Sequence, residues 1–471
     1  MDSKYITYIG VDDVDIDLFE SQYVVPEGMC YDSYLVKGDR IAVMDTVDAR
    51  MAGEWMAKLS AALGGRKPDY LVLQHMEPDH SGAVMAFLNE YPDTTIVCSQ
   101  QAANFLLQFN ETLRAEIRPL TAPAAEAARE CCCGNNGVPA TGTAKECCCG
   151  NNGIPAEVTA KEHCCGNNGT PAEVTAKECC CGNDGAPAAG TAGLRAEIRT
   201  VKEGDCLELG EGAELQFIAA PMVHWPEVMM TWFAAEKTLF SADGFGKFGV
   251  YDADPDDWAC EARRYYFNIC GKYGAQVAKV LQKAAGLDIQ RICPLHGPVL
   301  TGDRLAEAVR LYTVWSSYKP ETPEGILIAY ASIHGNTAAA ARRLANILEA
   351  KGAPKVAVTD LCRDDVAEAV EDAFRMGTMV LACSTYDGGI FPPMKCFLDK
   401  LAMKGFCGRR VALVENGTWA PLAAKLMRAS LESMKSIDIL DRTLTIKSSL
   451  KESQVPELEA LADLLLTPSS K

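Results

Sequence analysis

His75-Met76-Glu77-Pro78-Asp79-His80 places four candidate metal ligands within six residues, directly after the apolar run Tyr70 to Gln74. A run that short, bounded by polar residues, reads as a buried strand, so the ligands are delivered at a strand end. Zinc sites that activate water are mostly histidine. A carboxylate at Glu77 adds negative charge and hard oxygen ligation, which suits a pair of iron ions. The loop therefore predicts redox chemistry rather than hydrolysis.

The pattern H-x-E-x-D-H resembles the metal loop of the metallo-β-lactamase fold. The hydrolases of that fold usually read H-x-H-x-D-H, and here the middle histidine is Glu77. Metal ligands in such a fold come from strand ends that are far apart in the chain and converge in space. Downstream segments supply them. Leu215 to Ala220 reads as a strand ahead of Pro221-Met222-Val223-His224-Trp225-Pro226. Met229 to Ala235 and Thr238 to Ala242 read as a hairpin that ends in Asp243, and Ile289 to Cys293 as a strand ahead of Pro294-Leu295-His296-Gly297. The candidate ligands are thus His75, Glu77, Asp79, His80, His224, Asp243 and His296. Any one alone reads as an ordinary loop histidine or a helix-capping aspartate; seven in this order, each after a β segment, do not. Charge agrees. Two ferrous ions are neutralised by Glu77, Asp79, Asp243 and one hydroxide, and a neutral centre costs least to bury.

Upstream, Ser33 to Asp45 reads as a hairpin around Lys37-Gly38-Asp39-Arg40. After the metal loop come a helix near Gly82 to Asn89, a strand at Thr94 to Cys98 and a helix ending near Phe109. Regular structure then stops. From Glu130 to Thr191 a sixteen-residue unit recurs four times, with starts at Glu130, Glu146, Glu162 and Glu178. Two copies of Leu-Arg-Ala-Glu-Ile-Arg flank it, at Leu113 to Arg118 and Leu194 to Arg199. Excising 119–199 joins Arg118 to Thr200 and leaves an ordinary β segment, so these residues read as an insertion grown by tandem duplication. Adjacent cysteines lack the C-x-x-C spacing that lets two sulfurs meet one ion. Gly, Asn, Pro and Ala between them favour turns, and the expectation is a disordered, mobile, non-catalytic loop.

Composition sets the remaining bounds. A chain of 471 residues with 48% hydrophobic residues has ample material for two domains. A formal charge of −18 argues against nucleic acid or an anionic membrane as the main partner. Aspartates at positions 2, 12, 13, 15 and 17 interrupt the place of a secretory signal, and no apolar run reaches the ~18 residues a bilayer requires. The chain is expected in the cytoplasm. Of 21 cysteines, eleven sit in the repeat; the other ten lie on apolar segments and are expected as buried, reduced thiols.

A helix from Arg304 to about Trp315 closes the first region, 1–318. Lys319 to Gly325 has the Pro-rich, polar character of a linker. The remainder, 326–471, is a doubly wound pattern with strands at Gly325 to Ala331, Val356 to Thr359, Met379 to Cys383 and Arg410 to Val414, and a C-terminal helix over Pro456 to Leu466. Strand, then Ser332-Ile333-His334-Gly335-Asn336-Thr337, then helix, is an anion-binding arrangement in which hydroxyls and loop amides cradle a phosphate. Two further loops follow apolar strands, Ser384-Thr385-Tyr386-Asp387-Gly388-Gly389 and Glu415-Asn416-Gly417-Thr418-Trp419. Both fall at the carboxyl edge, where open α/β sheets bind ligands. Glycines admit a flat ring, and Tyr386 and Trp419 can stack on it. A flavodoxin-like fold with no flavin is the alternative.

These loops, in this order, resemble the flavodiiron proteins over nearly the whole chain apart from 119–199. The resemblance implies an α/β chain in which an αββα metallo-β-lactamase-like domain precedes a doubly wound, parallel-sheet flavodoxin-like domain. It implies two non-haem irons and one FMN per chain, and reduction of dioxygen to water, nitric oxide to nitrous oxide, or both. His75, Glu77 and His224 would hold one iron and Asp79, His80 and His296 the other, with Asp243 between; the residue matching His80 does not ligate iron in every member. The FMN phosphate would lie on Ser332 to Thr337 and its ring between the other two loops. A head-to-tail homodimer, or a dimer of dimers, would bring a partner's FMN to each iron pair. No rubredoxin-like pair of C-x-x-C motifs follows, so a separate electron donor such as a rubredoxin is expected. The competing function is a zinc hydrolase of the metallo-β-lactamase fold fused to a flavodoxin-like domain.

Overall fold

The computed structural model describes residues 3–120, 194–210, 212–251 and 258–467. The cysteine-rich repeat lies outside these residues, and so does the expectation of a mobile loop there.

Two sheets form the first half. One runs Ile6–Tyr8, Tyr34–Lys37, Ile41–Met44, Tyr70–Leu73, Thr95–Ser99, Arg195–Val201 and Arg114–Pro119 in spatial order; the other runs Cys206–Gly210, Ala213–Ala219, Met229–Phe233, Thr238–Phe240, Arg291–Cys293 and Leu300–Thr301. The alternating burial of Cys206–Gly210 and Ala213–Ala219 shows why they pair, since each offers one apolar face. That face meets the first sheet, and Val36, Met44, Val72 and Val97 pack with Leu215, Phe217, Phe233 and Phe240 in one buried cluster. Helices Ala52–Leu63, Val84–Glu90 and Gln100–Phe109 serve the first sheet's other face, with Trp55, Phe87 and Leu106 in a second cluster beside Leu71, Leu73 and Ile96. This is the expected αββα layering.

The two copies of Leu-Arg-Ala-Glu-Ile-Arg are both strands, and they lie side by side. Arg114–Pro119 pairs in parallel with Arg195–Val201 in unshifted register, Arg114 opposite Arg195 through Arg118 opposite Arg199. The second copy holds the interior place against Thr95–Ser99, and the first copy is the sheet edge. Burial follows position, since Ile198 is buried and Ile117 only half so. One sequence thus fills two structural roles.

In the second half five parallel strands run Val356–Asp360, Thr322–Ala331, Met376–Tyr386, Arg410–Asn416 and Asp438–Ile446 in spatial order. This is the doubly wound arrangement read from the sequence. The first strand begins at Thr322, inside the segment expected as linker, because Thr322 pairs with Met376 ahead of a register irregularity. The edge strand Asp438–Ile446 escaped the sequence reading; its residues are mostly polar and half-exposed. Helix Trp258–Ile269 escaped it too, and carries the contact between the halves. Its Arg263 is buried between Glu371 (2.6 Å) and Glu321 (2.7 and 3.0 Å), and its Arg264 reaches Asp365 at 2.7 Å.

All ten cysteines among the described residues are free thiols. Five are buried as expected, but Cys206, Cys260 and Cys396 are exposed, on the solvent faces of their elements.

Candidate metal centre and flavin cleft

The metal loop leaves its strand at Leu73 and turns at once into a helical turn, Pro78–Ser81, with Glu77 as N-cap and proline at its first position. Buried neighbours hold the turn in place. Asp45 ends the strand alongside, and its carboxylate accepts from the Gln74 amide at 2.7 Å and from Gln74 Nε2 at 2.9 Å. Burial pushes the Asp45 carboxyl up to about 6 against these hydrogen bonds. Thr46 donates from Oγ1 to the His80 carbonyl at 2.7 Å, and Ser81 Oγ to the carbonyl of Met76 at 3.0 Å.

All seven sequence-predicted ligands converge. They form two groups, His75 with Glu77, His224 and Asp243, and Asp79 with His80 and His296. Glu77 Oε2 stands 2.9 Å from His224 Nε2 and 3.3 Å from His75 Nε2. Asp79 Oδ2 lies 3.3 Å from both His80 Nε2 and His296 Nε2. Asp243 faces both groups. Its Oδ2 is 3.1 Å from His224 and 3.2 Å from His75, while its Oδ1 is 3.2 Å from His80 and 3.8 Å from His296.

Electrostatics shows what this cluster lacks. The carboxylate oxygens of Asp79 and Asp243 are buried with no hydrogen-bond partner among the described residues. Burial opposes the Asp243 charge, yet the surrounding histidines, His75 foremost, hold its carboxyl well below the usual range. Burial likewise opposes charge on His224 and His296, but their carboxylate neighbours raise both to about 9. Orphaned buried carboxylates facing convergent imidazoles fit a site for two cations. The mixture of hard oxygen and imidazole donors fits iron. His75 and His296 both aim Nε2 inward, their Nδ1 atoms being engaged by Glu227 Oε1 at 2.8 Å and the Cys30 carbonyl at 2.7 Å. His80 Nδ1 has no such anchor among the described residues. Phe19, Tyr31 and Tyr265 wall in His296, and Trp225 lies edge-on to His75. Only Glu77 and His224 keep partial exposure, which leaves an approach from their side.

In the second half, the ends of three neighbouring strands border a cavity of about 480 Å³. It is lined by Ser332, Ile333, His334, Asn336 and Thr337 of the first loop, by Ser384 to Gly388 of the second and by Asn416 to Trp419 of the third. Gly335 and Gly389 do not line it; they shape its loops. Gly335 adopts φ 85° as N-cap of helix Asn336–Ala350, and its amide donates to Ser332 Oγ at 3.1 Å. Gly389 pairs with Tyr386 in a tight hairpin. At the base, Thr337 Oγ1 meets Ser384 Oγ at 2.9 Å, and Asn416 Nδ2 donates to Thr337 Oγ1 at 3.2 Å. Hydroxyls and a helix N-terminus at one end suit a phosphate. Tyr386 and Trp419 are 45% and 89% exposed, which leaves ring faces free to stack. The cleft therefore fits a flavin mononucleotide. Ala420 and Ser448 also line it and were not found in the sequence, since both lie beyond the recognisable loops.

Seven converging candidate ligands on an αββα domain, followed by a cleft suited to a phosphate and a ring on a doubly wound domain, are the arrangement that the flavodiiron resemblance implies. Residues 192–297 match the family described as ODP family beta lactamase. The curated relatives include anaerobic nitric oxide reductase flavorubredoxins, from Vibrio vulnificus at 23% identity over 90% of this chain and 71% of the relative. The one from Escherichia coli SMS-3-5 is 24% identical over 97% of this chain and 78% of the relative. Among solved structures, rubredoxin oxygen:oxidoreductase from Desulfovibrio gigas aligns with TM-score 0.75 at 21% identity, covering 98% of this chain and 96% of its own. The flavodiiron protein from Giardia intestinalis aligns with TM-score 0.75 at 19% identity, over 98% and 94% of the two chains. The chain shares the flavodiiron fold along nearly its whole length.

Proposed function

We infer that this chain is an oxidoreductase that reduces dioxygen to water, nitric oxide to nitrous oxide, or both, at two non-haem irons served by FMN. The observation that carries this reading is the Asp243 carboxylate, with one oxygen toward each ligand group. A carboxylate so placed would be shared by two ions, and iron held there would supply the redox chemistry that reduction of such gases requires. His75, Glu77 and His224 would hold one iron, Asp79, His80 and His296 the other, with Asp243 shared. The FMN phosphate would rest on Ser332 to Thr337, and its ring between the loops carrying Tyr386 and Trp419. The chain itself positions these groups and, through Phe19, Tyr31, Tyr265 and Trp225, keeps bulk water from most of the site.

The relatives' names point to the partners. A rubredoxin-type donor would supply electrons, consistent with the relatives' names flavorubredoxin and rubredoxin oxygen:oxidoreductase. The proposed assembly is a head-to-tail homodimer or dimer of dimers, and the proposed location is the cytoplasm. Among the described residues no helix is long and apolar enough to cross a membrane. The zinc-hydrolase alternative is disfavoured by Glu77, whose carboxylate sits among the inward-facing atoms, and by the flavin-shaped cleft. Metal and flavin analysis of anaerobically purified protein tests the proposal: about two irons and one FMN per chain are expected. Full activity as a hydrolase with zinc, and none with iron, would overturn it.

A further inference from the structure

We propose that Glu227 is a positioning residue of the metal centre, fixing His75 and hydrogen-bonding a carboxylate to a ligand of one ion only. The proposal rests on the two-ion reading above. Glu227 is 2% exposed and touches no inward-facing ligand atom. Its Oε1 instead accepts from His75 Nδ1 at 2.8 Å and from the Met76 amide at 3.0 Å. Two acceptances by one oxygen tie the imidazole and its own backbone to a single point. The anchor is itself held. The Glu227 carbonyl accepts from Ser99 Oγ at 2.9 Å, and Met229, two residues on, donates its amide to the Gln74 carbonyl at 3.1 Å.

The consequence for His75 is chemical. An imidazole that donates from Nδ1 must present the Nε2 lone pair, and Nε2 is the atom that faces Glu77 and Asp243. A carboxylate acceptor also makes that lone pair a stronger donor than a neutral acceptor does. The other end of the site lacks this. His296 Nδ1 donates to the Cys30 carbonyl at 2.7 Å, a neutral partner. The two ligand groups are therefore hydrogen-bonded unequally: a carboxylate accepts from His75 and a peptide carbonyl from His296, while the buried Asp32 near His296 accepts from Tyr8 instead. Glu227 has a second oxygen, Oε2, with no hydrogen-bond partner among the described residues, and the residue borders a cavity of about 150 Å³ with Ser99 and Lys202.

Glu227→Gln keeps the shape and an oxygen to accept from Nδ1 but removes the charge. Chelator competition on the iron-loaded variant should show one of the two ions held about 10–100-fold more weakly, the other as in the parent. FMN content, and the unfolding midpoint of the metal-free protein, should stay unchanged. Unchanged affinity for both ions would overturn the proposal, as would equal weakening of both. A second measurement needs no variant. In zinc-loaded parent protein, zinc serving as a diamagnetic probe, histidine ¹⁵N NMR should show a slowly exchanging, strongly downfield Nδ1–H on His75, further downfield than that of His296. A His75 ring carrying its proton on Nε2 would refute the role of Glu227. That result stands whether or not the iron form reduces gas, so the two readings fail separately.

Discussion

Excision of 119–199 should leave a folded protein with its metal centre and flavin intact. The repeated strands give this expectation a magnitude. In the parent, Arg195–Val201 fills the interior place and Arg114–Pro119 the edge. After excision a single strand, Leu113 to Arg118 followed by Thr200 and Val201, must take the interior place. Its residues match those it replaces, so Ile117 inherits the buried position of Ile198 and the register against Thr95–Ser99 is kept. What is lost is the edge strand, six paired residues with mostly exposed side chains. Backbone hydrogen bonds at roughly 0.5–1 kcal/mol net each make that loss about 3–6 kcal/mol. Against it stands loop closure. Holding both strands in place closes about 75 intervening residues, which on the sequence expectation of an unpacked loop costs about 4 kcal/mol. The two nearly cancel, and the net change should stay within about 2 kcal/mol. One demand remains. The turn Asn110 to Leu113 must swing by one strand spacing, about 4.8 Å, to deliver the fused strand inward. Urea unfolding of both proteins at matched iron and FMN loading reads the balance. A loss beyond about 4 kcal/mol, or loss of iron, would show that the insertion or its edge strand supports the fold beyond its backbone pairing.

Two further outcomes follow from single contacts. Asp243→Asn keeps the side-chain shape but removes the charge facing four histidines, so iron retention should fall by at least about 100-fold. FMN should remain bound and reducible, because its cleft lies in the other half; near-normal iron content by elemental analysis would show that the bridge is misplaced. Arg263→Ala strands the buried Glu371 carboxylate and should cost about 3–5 kcal/mol in urea unfolding. A change below about 1 kcal/mol would mean that the contact between the halves is carried elsewhere.

The convergence of the candidate ligands was legible because histidines and carboxylates each follow an apolar run that is easy to see. The loops that line the cleft were legible for the same reason. The supporting layer was not. Glu227 lies three residues past His224 in an ordinary loop, and only its contact with His75, 152 positions away in sequence, gives it meaning. A carboxylate just after the His224 segment was the one available signal. Arg263 and Arg264 lie on a helix that the sequence reading missed, and they are buried because Glu321, Glu371 and Asp365 neutralise them from distant elements. The duplicated strand was visible as a repeat, but no local pattern says that two identical strands will pair with each other. The edge strand Asp438–Ile446 was hidden because strands with one free edge need little apolar character.

The proposed function requires electrons to leave reduced flavin for a gas through the paired metal site. Protein carrying two irons and one FMN per chain should be reduced anaerobically and mixed, in separate experiments, with dissolved dioxygen and nitric oxide. Rapid flavin reoxidation with at least one gas is expected, with water or nitrous oxide as product, and no such catalysis when zinc replaces iron. Fully loaded, reduced protein that consumes neither gas, or zinc-loaded protein that consumes them equally well, would contradict it.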